Sequence, residues 1–337
     1  MRYQLIGNTG IEVSSLCWGT DMLGGLVSNQ EAEQMIETLR SQGINFLDTA
    51  DAYQNGESER LLGELIHDDR ERWVLATKTG NPLPSDDHGP RLSLDRILKK
   101  IESSLKRLGT EYVDIYYLHS NDSQTPLAET IRAMGEVLES GLARCWGFSN
   151  YYAWQIAEII RICDLEGIPR PVIAQTHYNI LKRDPEREYL PACAHFGIAV
   201  IGYTPLARGI LAGKYLPGSP PPKESRLSLE TTFTIKAEYH PECLELAQRI
   251  KQYAESRKMG PVQFSVLWIL HNRILNSVVT GPRNLEQLLG YINAFDHQFT
   301  EEDERFVESL IPAGQQIPAE HVNHFLPVTG RQIVPLI

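Results

Sequence analysis

The chain has 337 residues, with 43 acidic against 32 basic side chains and a formal net charge of −11, enough chain for one large α/β barrel or two smaller domains. Hydrophobic and charged fractions of 42% and 22% exclude wholesale disorder, and the acidic balance excludes a general nucleic-acid binder, which needs a basic surface to displace counterions. Five scattered cysteines without a CxxC pair, no charged-then-apolar leader and no apolar run near the roughly 20 residues of a membrane span predict a reduced, cytoplasmic protein with no membrane contact.

Gly7-Asn8-Thr9-Gly10 separates two short extended runs, residues 2–5 and 11–14, and predicts an N-terminal β-hairpin. Residues 16–19 form the first main strand. Ser28-Asn29-Gln30-Glu31 has capping-box spacing, and Met35, Ile36 and Leu39 follow at helical spacing. Gly43 ends that helix where left-handed backbone is needed, and 44–47 is a strand closed by Asp48. The unit then recurs. After a strand at 73–76, a helix through Ile97, Ile101, Leu105 and Leu108 stops at Gly109, before strand 112–118 and His119. A helix with Pro126 in its first turn stops near Gly141, before strand 143–148 and Ser149-Asn150. Stops at Gly167 and Gly197 precede strands 172–174 and 198–202, which end at Gln175 and Tyr203. Residues 214–240 break the rhythm: Pro217-Gly218-Ser219-Pro220-Pro221-Pro222 marks a long loop over one end, a candidate lid with Phe233 or Tyr239 as the residue that closes over cofactor or substrate. A last strand at 277–279 is followed by Thr300-Glu301-Glu302-Asp303, a helix start.

Eight strands alternating with helices imply a parallel sheet. A (β/α)₈ TIM barrel, with the hairpin ahead of it and the long loop after strand seven, fits this count. The competitor is a doubly wound sheet, weakened because no GxGxxG follows the first strand. No linker divides the chain, so residues 1–337 read as one domain.

In a parallel barrel the chemistry sits at the C-terminal strand ends. Read off there, the polar residues are Asp48, Lys78, His119, Ser149-Asn150, Gln175 and Tyr203. The first three end adjacent strands about 4.8 Å apart, and Tyr53 follows Asp48 closely enough to fold over the same mouth. Each has a bland reading: Asp48 as a turn cap, Tyr53 as a half-buried ring, Lys78 as a surface charge, His119 as a structural histidine. Together they make a proton-transfer set. An ammonium about 4 Å from a phenol is worth about 4 kcal/mol at an effective dielectric of 20, or about three pKa units. Lys78 is therefore expected to turn Tyr53 into a usable general acid, with Asp48 holding Lys78 and His119 orienting the substrate oxygen.

Other chemistries fit less well. His119 with Asp122, and His321 with His324, each offer two metal ligands without an evident third, so no metal is expected. Gly147-Phe148-Ser149-Asn150-Tyr151 lacks the second glycine of a nucleophile elbow. Gly209-Ile210-Leu211-Ala212-Gly213-Lys214 is one residue short of a P-loop but can still offer backbone N–H groups to phosphate. A Schiff-base aldolase would need Lys78 desolvated and unpaired with Asp48.

These residues resemble a family, the aldo-keto reductases, in its bacterial, channel-subunit-like and sugar-reductase-like branches. Leu47-Asp48-Thr49-Ala50-Asp51-Ala52-Tyr53 with Gly56-Glu57-Ser58-Glu59 is similar to its first signature. Ala76-Thr77-Lys78, Tyr117-Leu118-His119, Gly147-Phe148-Ser149-Asn150, Gln175 with Tyr178-Asn179, the run Tyr203-Thr204-Pro205-Leu206-Ala207-Arg208-Gly209 and Gly281-Pro282-Arg283-Asn284 follow in family order, from about residue 2 to 310. The resemblance implies a barrel that reduces aldehydes or ketones with NADPH, NADH being the other candidate. It implies Tyr53 as proton donor assisted by Asp48, Lys78 and His119. Ser149, Asn150 and Gln175 would hold the nicotinamide carboxamide and Tyr203 its ring. Leu206, Arg208, Gly209 and Gly213 would line the pyrophosphate, Arg283 and Gln287 would reach the adenosine 2′-phosphate, and Thr204, Pro205 and Gly281 would be further cofactor contacts. Gly290-Tyr291 stands where many members carry an acid followed by asparagine. The expected partner is a small-molecule carbonyl substrate, with a homo-oligomer left open. The alternative function, from the same resemblance, is a cofactor-sensing binding subunit like the potassium-channel β-subunits. Trp18, Met22, Leu23 and Trp146 are candidates for an apolar substrate wall or for core.

Overall fold

The structure is a computed structural model and describes residues 1–83, 89–223, 225–229 and 239–318. Strands β1 (Tyr3–Leu5) and β2 (Glu12–Ser14) form the expected antiparallel hairpin, Tyr3 opposite Ser14. Eight parallel strands then close into a barrel: β3 (Leu16–Gly19), β4 (Phe46–Asp48), β5 (Val74–Thr79), β6 (Val113–Leu118), β7 (Ala143–Ser149), β8 (Ile173–His177), β9 (Ala199–Tyr203) and β10 (Leu275–Thr280), with β10 returning to β3. A closed sheet has no edge, so the doubly wound alternative is excluded.

Around the barrel lie α1 (Asn29–Ser41), α2 (Glu57–Ile66), α3 (Leu94–Leu108), α4 (Leu127–Glu139), α5 (Ala153–Glu166) and α6 (Tyr189–His195). They are followed by α7 (Arg226–Leu229), α8 (Pro241–Ser256), α9 (Pro261–His271), α10 (Leu285–Ile292) and α11 (Glu301–Leu310). Gly43, Gly109, Gly141, Gly167 and Gly197 all stop helices at φ between 63° and 70°, as their spacing predicts. Two helix starts differ in detail from expectation. Ser28 accepts from the Glu31 amide, but the Glu31 carboxylate accepts from the Leu285 amide (2.8 Å) and ties α1 to the start of α10. Pro126 is the cap of α4 rather than its first helical residue. Thr300 and Asp303 form the full reciprocal box.

The strand period of two sorts side chains into two cores. Inside the barrel lie Cys17, Phe46, Val74, Ala76, Ile115, Tyr117, Cys145, Ile173, Ala199 and Ile201, plugged by Ile6, Ile11 and Val13 of the hairpin region. Trp18, Leu47, Leu75, Tyr116, Leu118, Trp146, Phe148 and Val200 face outward into the helical layer. Each fully buried aliphatic or aromatic side chain contributes about 1.5–3 kcal/mol over its exposed state. The same alternation carries Asp48, Lys78, His119, Ser149, Gln175, His177 and Tyr203 inward at the C-terminal end. Gly147 sits on this inward row, where a Cβ would lie 2.2 Å from the Ile173 carbonyl oxygen, so only glycine lets β7 and β8 close there.

Residues 311–318, beyond the sequence resemblance, dock on the connection after β8. Ile317 donates to the Leu181 carbonyl and Arg183 to the Gln315 carbonyl, both at 2.8 Å, and Lys182 reaches the Gln316 side chain at 2.7 Å. All five cysteines are buried and free. Among the described residues no helix is long and apolar enough to cross a membrane.

Candidate active site

A cleft of about 600 Å³ opens at the C-terminal strand ends, with Asp48, Tyr53 and His119 on its floor. Lys78 lies just beneath, fully buried, and its ammonium meets three acceptors: the Asp48 carboxylate, the Thr49 carbonyl at 2.8 Å and the Tyr53 hydroxyl at 3.1 Å. An ammonium has three donors and no acceptor. All three are used, and because Tyr53 accepts from Lys78, its own proton points elsewhere, toward the cleft. The Tyr53 ring also lies 4.7 Å from the Lys78 nitrogen and edge-on to His119, centroids 5.6 Å apart.

Local backbone explains how Tyr53 folds over the mouth. The turn Tyr53–Gly56 holds Gln54 and Asn55 left-handed, at φ 49° and 56°. The Gln54 amide donates to the Asp21 carbonyl (2.9 Å), and a Cβ on Gly25 would meet the Gln54 side-chain oxygen at 2.7 Å. That contact holds a strained turn beside the reacting hydroxyl.

Burial dominates the electrostatics. Desolvation works against the Lys78 charge, but Asp48 and the Tyr53 oxygen outweigh it and keep the lysine protonated above its ordinary value. Burial pushes the Tyr53 phenol up to about 12, against the pull of Lys78 and with a further push from Asp48. This corrects the expectation that Lys78 brings the phenol down into the neutral range: the Coulombic estimate left out the cost of desolvating the phenolate. Tyr53 is therefore a neutral phenol, holding its proton until an oxygen accepts it. Burial, then the Lys78 charge, holds His119 well below the usual imidazole range, so it is neutral. Its Nδ1 is buried with no hydrogen-bond partner among the described residues. A charged lysine with every donor engaged is no Schiff-base nucleophile, and the aldolase reading falls.

From this floor a groove runs outward. Gln175 donates to the second Asp48 oxygen at 2.6 Å, tying the groove to the floor. Asn150 donates to the His119 carbonyl (2.9 Å) and to Ser149 Oγ (3.0 Å), and accepts from the Tyr203 hydroxyl (2.8 Å). Thr204, Pro205, Leu206, Arg208 and Gly209 continue the wall, and Gly281, Arg283 and Gln287 complete it. Four non-glycine residues along this path are left-handed: Asn150 (φ 60°), Thr204 (60°), Ala207 (46°) and Arg208 (55°). Each costs on the order of 1 kcal/mol, and their concentration here marks a backbone shaped for a ligand. Lys214 and Arg283 both line this groove. Partial burial and then the Arg283 charge pull the Lys214 ammonium down. Two cations lining one groove suit a phosphate-bearing ligand.

The model of the aldo/keto reductase family matches residues 15–312. The chain belongs to the aldo/keto reductase family. It is 33% identical over 304 residues to a protein of Arabidopsis thaliana named as a probable voltage-gated potassium channel subunit beta, covering 88% of this chain and 92% of that one. The similarly named protein of Oryza sativa subsp. japonica is 32% identical over the same shares. An uncharacterized oxidoreductase of Bacillus subtilis strain 168, YrpG, is 30% identical over 325 residues, 93% of this chain and 96% of that one. The family and the last relative support an oxidoreductase, in a family that generally uses nicotinamide cofactors.

Most of the residues expected in this aldo/keto reductase's site share the one cleft. Gly213 does not line it: it is buried at φ 70°, with Lys251 Cδ at 2.8 Å from its Cβ direction, while its neighbours Ala212 and Lys214 do. Of the apolar-wall candidates only Met22 reaches the cleft; Trp18, Leu23 and Trp146 are core. Gly290 and Tyr291 line its far end, and Gly290 leaves the space beside it open. Asp122 accepts from the Arg91, Leu92 and Gln124 amides and from Thr125, so it holds a turn rather than pairing with His119. His321, His324 and Phe233 lie outside the described residues.

Sequence reasoning missed Asp21, Asn81, Arg226 and Glu286, all on the cleft wall. Asp21 and Asn81 each stand two residues past a barrel strand, so reading a second residue at each strand end would have found them. Arg226 and Glu286 carry no such signal. Arg226 of α7 pairs with Asp21 at 3.2 Å, a bridge between the long loop and the turn after β3.

Proposed function

We propose that this aldo/keto reductase reduces aldehydes or ketones to alcohols with NADPH, Tyr53 supplying the proton. The observation that carries the reading is a neutral, lysine-braced phenol on the floor of a groove whose far end holds Lys214 and Arg283. Bound NADPH would supply a hydride equivalent. Ser149, Asn150 and Gln175 would hold its carboxamide, Tyr203 its nicotinamide face, Arg208, Gly209 and Lys214 its pyrophosphate, and Arg283 with Gln287 its 2′-phosphate. A carbonyl oxygen within reach of Tyr53 and His119 would take the phenolic proton as its carbon received that hydride equivalent, the O–H bond of Tyr53 breaking as that of the alcohol formed. The Lys78 ammonium, 3.1 Å away, steadies the phenolate until a proton is regained. Neutral His119 orients the oxygen without competing for the proton. The loop bearing Arg226 acts as a lid through its bridge to Asp21.

A second reading, a cofactor-sensing subunit, draws on the names of the two plant relatives. One experiment separates them: incubate the protein with NADPH or NADH and a panel of aldehydes and ketones, and follow the reduced-nicotinamide absorbance. Repeated turnover with NADPH supports the enzyme. A single slow turnover with copurifying cofactor supports the sensor. Absence of cofactor binding refutes both.

A further inference from the structure

Tyr203 turns toward the cleft, and His177 lies behind it. The two residues are register partners on β8 and β9, and their rings stack at 5.3 Å, 18° from parallel. His177 is buried and belongs to the inward row of β8, two positions beyond Gln175. The cleft lining includes Tyr203 but not His177, which borders a separate small void with Asn179, Lys182, Ala207 and Gln316. The imidazole is fixed in turn: Asn179 Nδ2 lies 3.3 Å from its Nε2 and donates to the Thr204 carbonyl at 3.0 Å. Tyr203 is thus held at its hydroxyl by Asn150 and along its ring by His177.

We propose that His177 is a positioning residue that holds the Tyr203 ring flat as the platform for a nicotinamide; this rests on the NADPH reading above. A phenol anchored only at its hydroxyl can still swing about the Cα–Cβ bond and the ring axis. A flat, buried partner across the strand pair removes that freedom before the cofactor arrives, so ordering the ring does not count against binding. A stacked aromatic pair of this kind changes affinity about five- to tenfold.

The test compares His177→Ala, His177→Leu and His177→Phe by titrating each with NADPH and with 2′-phospho-ADP-ribose, which carries the phosphates but no nicotinamide. His177→Ala is expected to weaken NADPH about five- to tenfold and leave the fragment unchanged. His177→Leu, which keeps volume without a flat ring, follows the alanine variant and serves if that one fails to fold; His177→Phe restores the affinity. Equal weakening of NADPH and fragment, or failure of phenylalanine to rescue, overturns the proposal in favour of a general packing role. Unchanged NADPH affinity in the alanine and leucine variants overturns it outright. Wild-type protein that binds neither molecule refutes the NADPH reading itself, and this inference with it.

Discussion

Asp51, between Asp48 and Tyr53 in sequence, is buried beside Thr79 of β5 and does not line the cleft. Its Oδ2 accepts from Thr79 at 3.3 Å and faces Lys100 at 3.7 Å, while Oδ1 is buried with no hydrogen-bond partner among the described residues. Burial, opposed by Lys100 and helped by Glu59, raises the carboxyl from 3.8 to about 7. At about 1.4 kcal/mol per pH unit this amounts to about 4 kcal/mol. The sign follows from the proton count. Below about pH 4 both folded and unfolded chains are protonated here, and the contribution to stability is full. As pH rises toward 7 the unfolded chain loses a proton that the folded chain keeps, so stability falls, then levels off above the folded value. Asp51→Asn has no charge to desolvate at any pH. Urea unfolding of both proteins from about pH 4 to about pH 8 should show the wild type losing about 4 kcal/mol relative to the variant, with other titrations cancelling in the difference. A difference constant across that range would refute the reasoning, because the carboxyl would then be ionised in the folded protein throughout.

Arg283→Ala should weaken NADPH by about 1.5–3 kcal/mol and leave NADH nearly unchanged, measured by fluorescence titration; equal losses would make Arg283 structural. Lys78→Met strands the buried Asp48 charge and should destabilise the fold by about 3–5 kcal/mol in urea unfolding, with Asp48→Asn added to it recovering part of the loss. Arg226→Ala removes the bridge to Asp21 and should quicken cofactor release a few-fold in stopped-flow, with Arg226→Lys intermediate; unchanged release would mean the loop is no lid.

The barrel was legible because its punctuation is local. Each helix stop at Gly43, Gly109, Gly141, Gly167 and Gly197 needs only its own left-handed φ, and each strand only its apolar run. The floor was legible for the same reason, since the strand period of two carries Asp48, Lys78 and His119 onto the inward row whatever surrounds them. The rest depended on non-local geometry. Gly213 and Lys214 are neighbours in sequence, yet only the fold decides which of them faces the groove. Arg226 meets Asp21 across about two hundred residues of chain. The Tyr53 phenol was misjudged in sign because charge spacing can be read from sequence while depth of burial cannot. His177 was invisible as a functional residue because its significance lies in facing Tyr203 across a strand pair.

The central claim is that Tyr53 gives the proton in carbonyl reduction, and a single-turnover comparison of wild type with Tyr53→Phe tests it most directly. Each protein is first titrated with NADPH, then mixed as the loaded complex with excess aldehyde while reduced-nicotinamide absorbance is followed. The account predicts matching NADPH affinity for the two proteins and a hydride-transfer step slowed about 10²- to 10⁴-fold in the phenylalanine variant. Equal rates at equal cofactor affinity would contradict it.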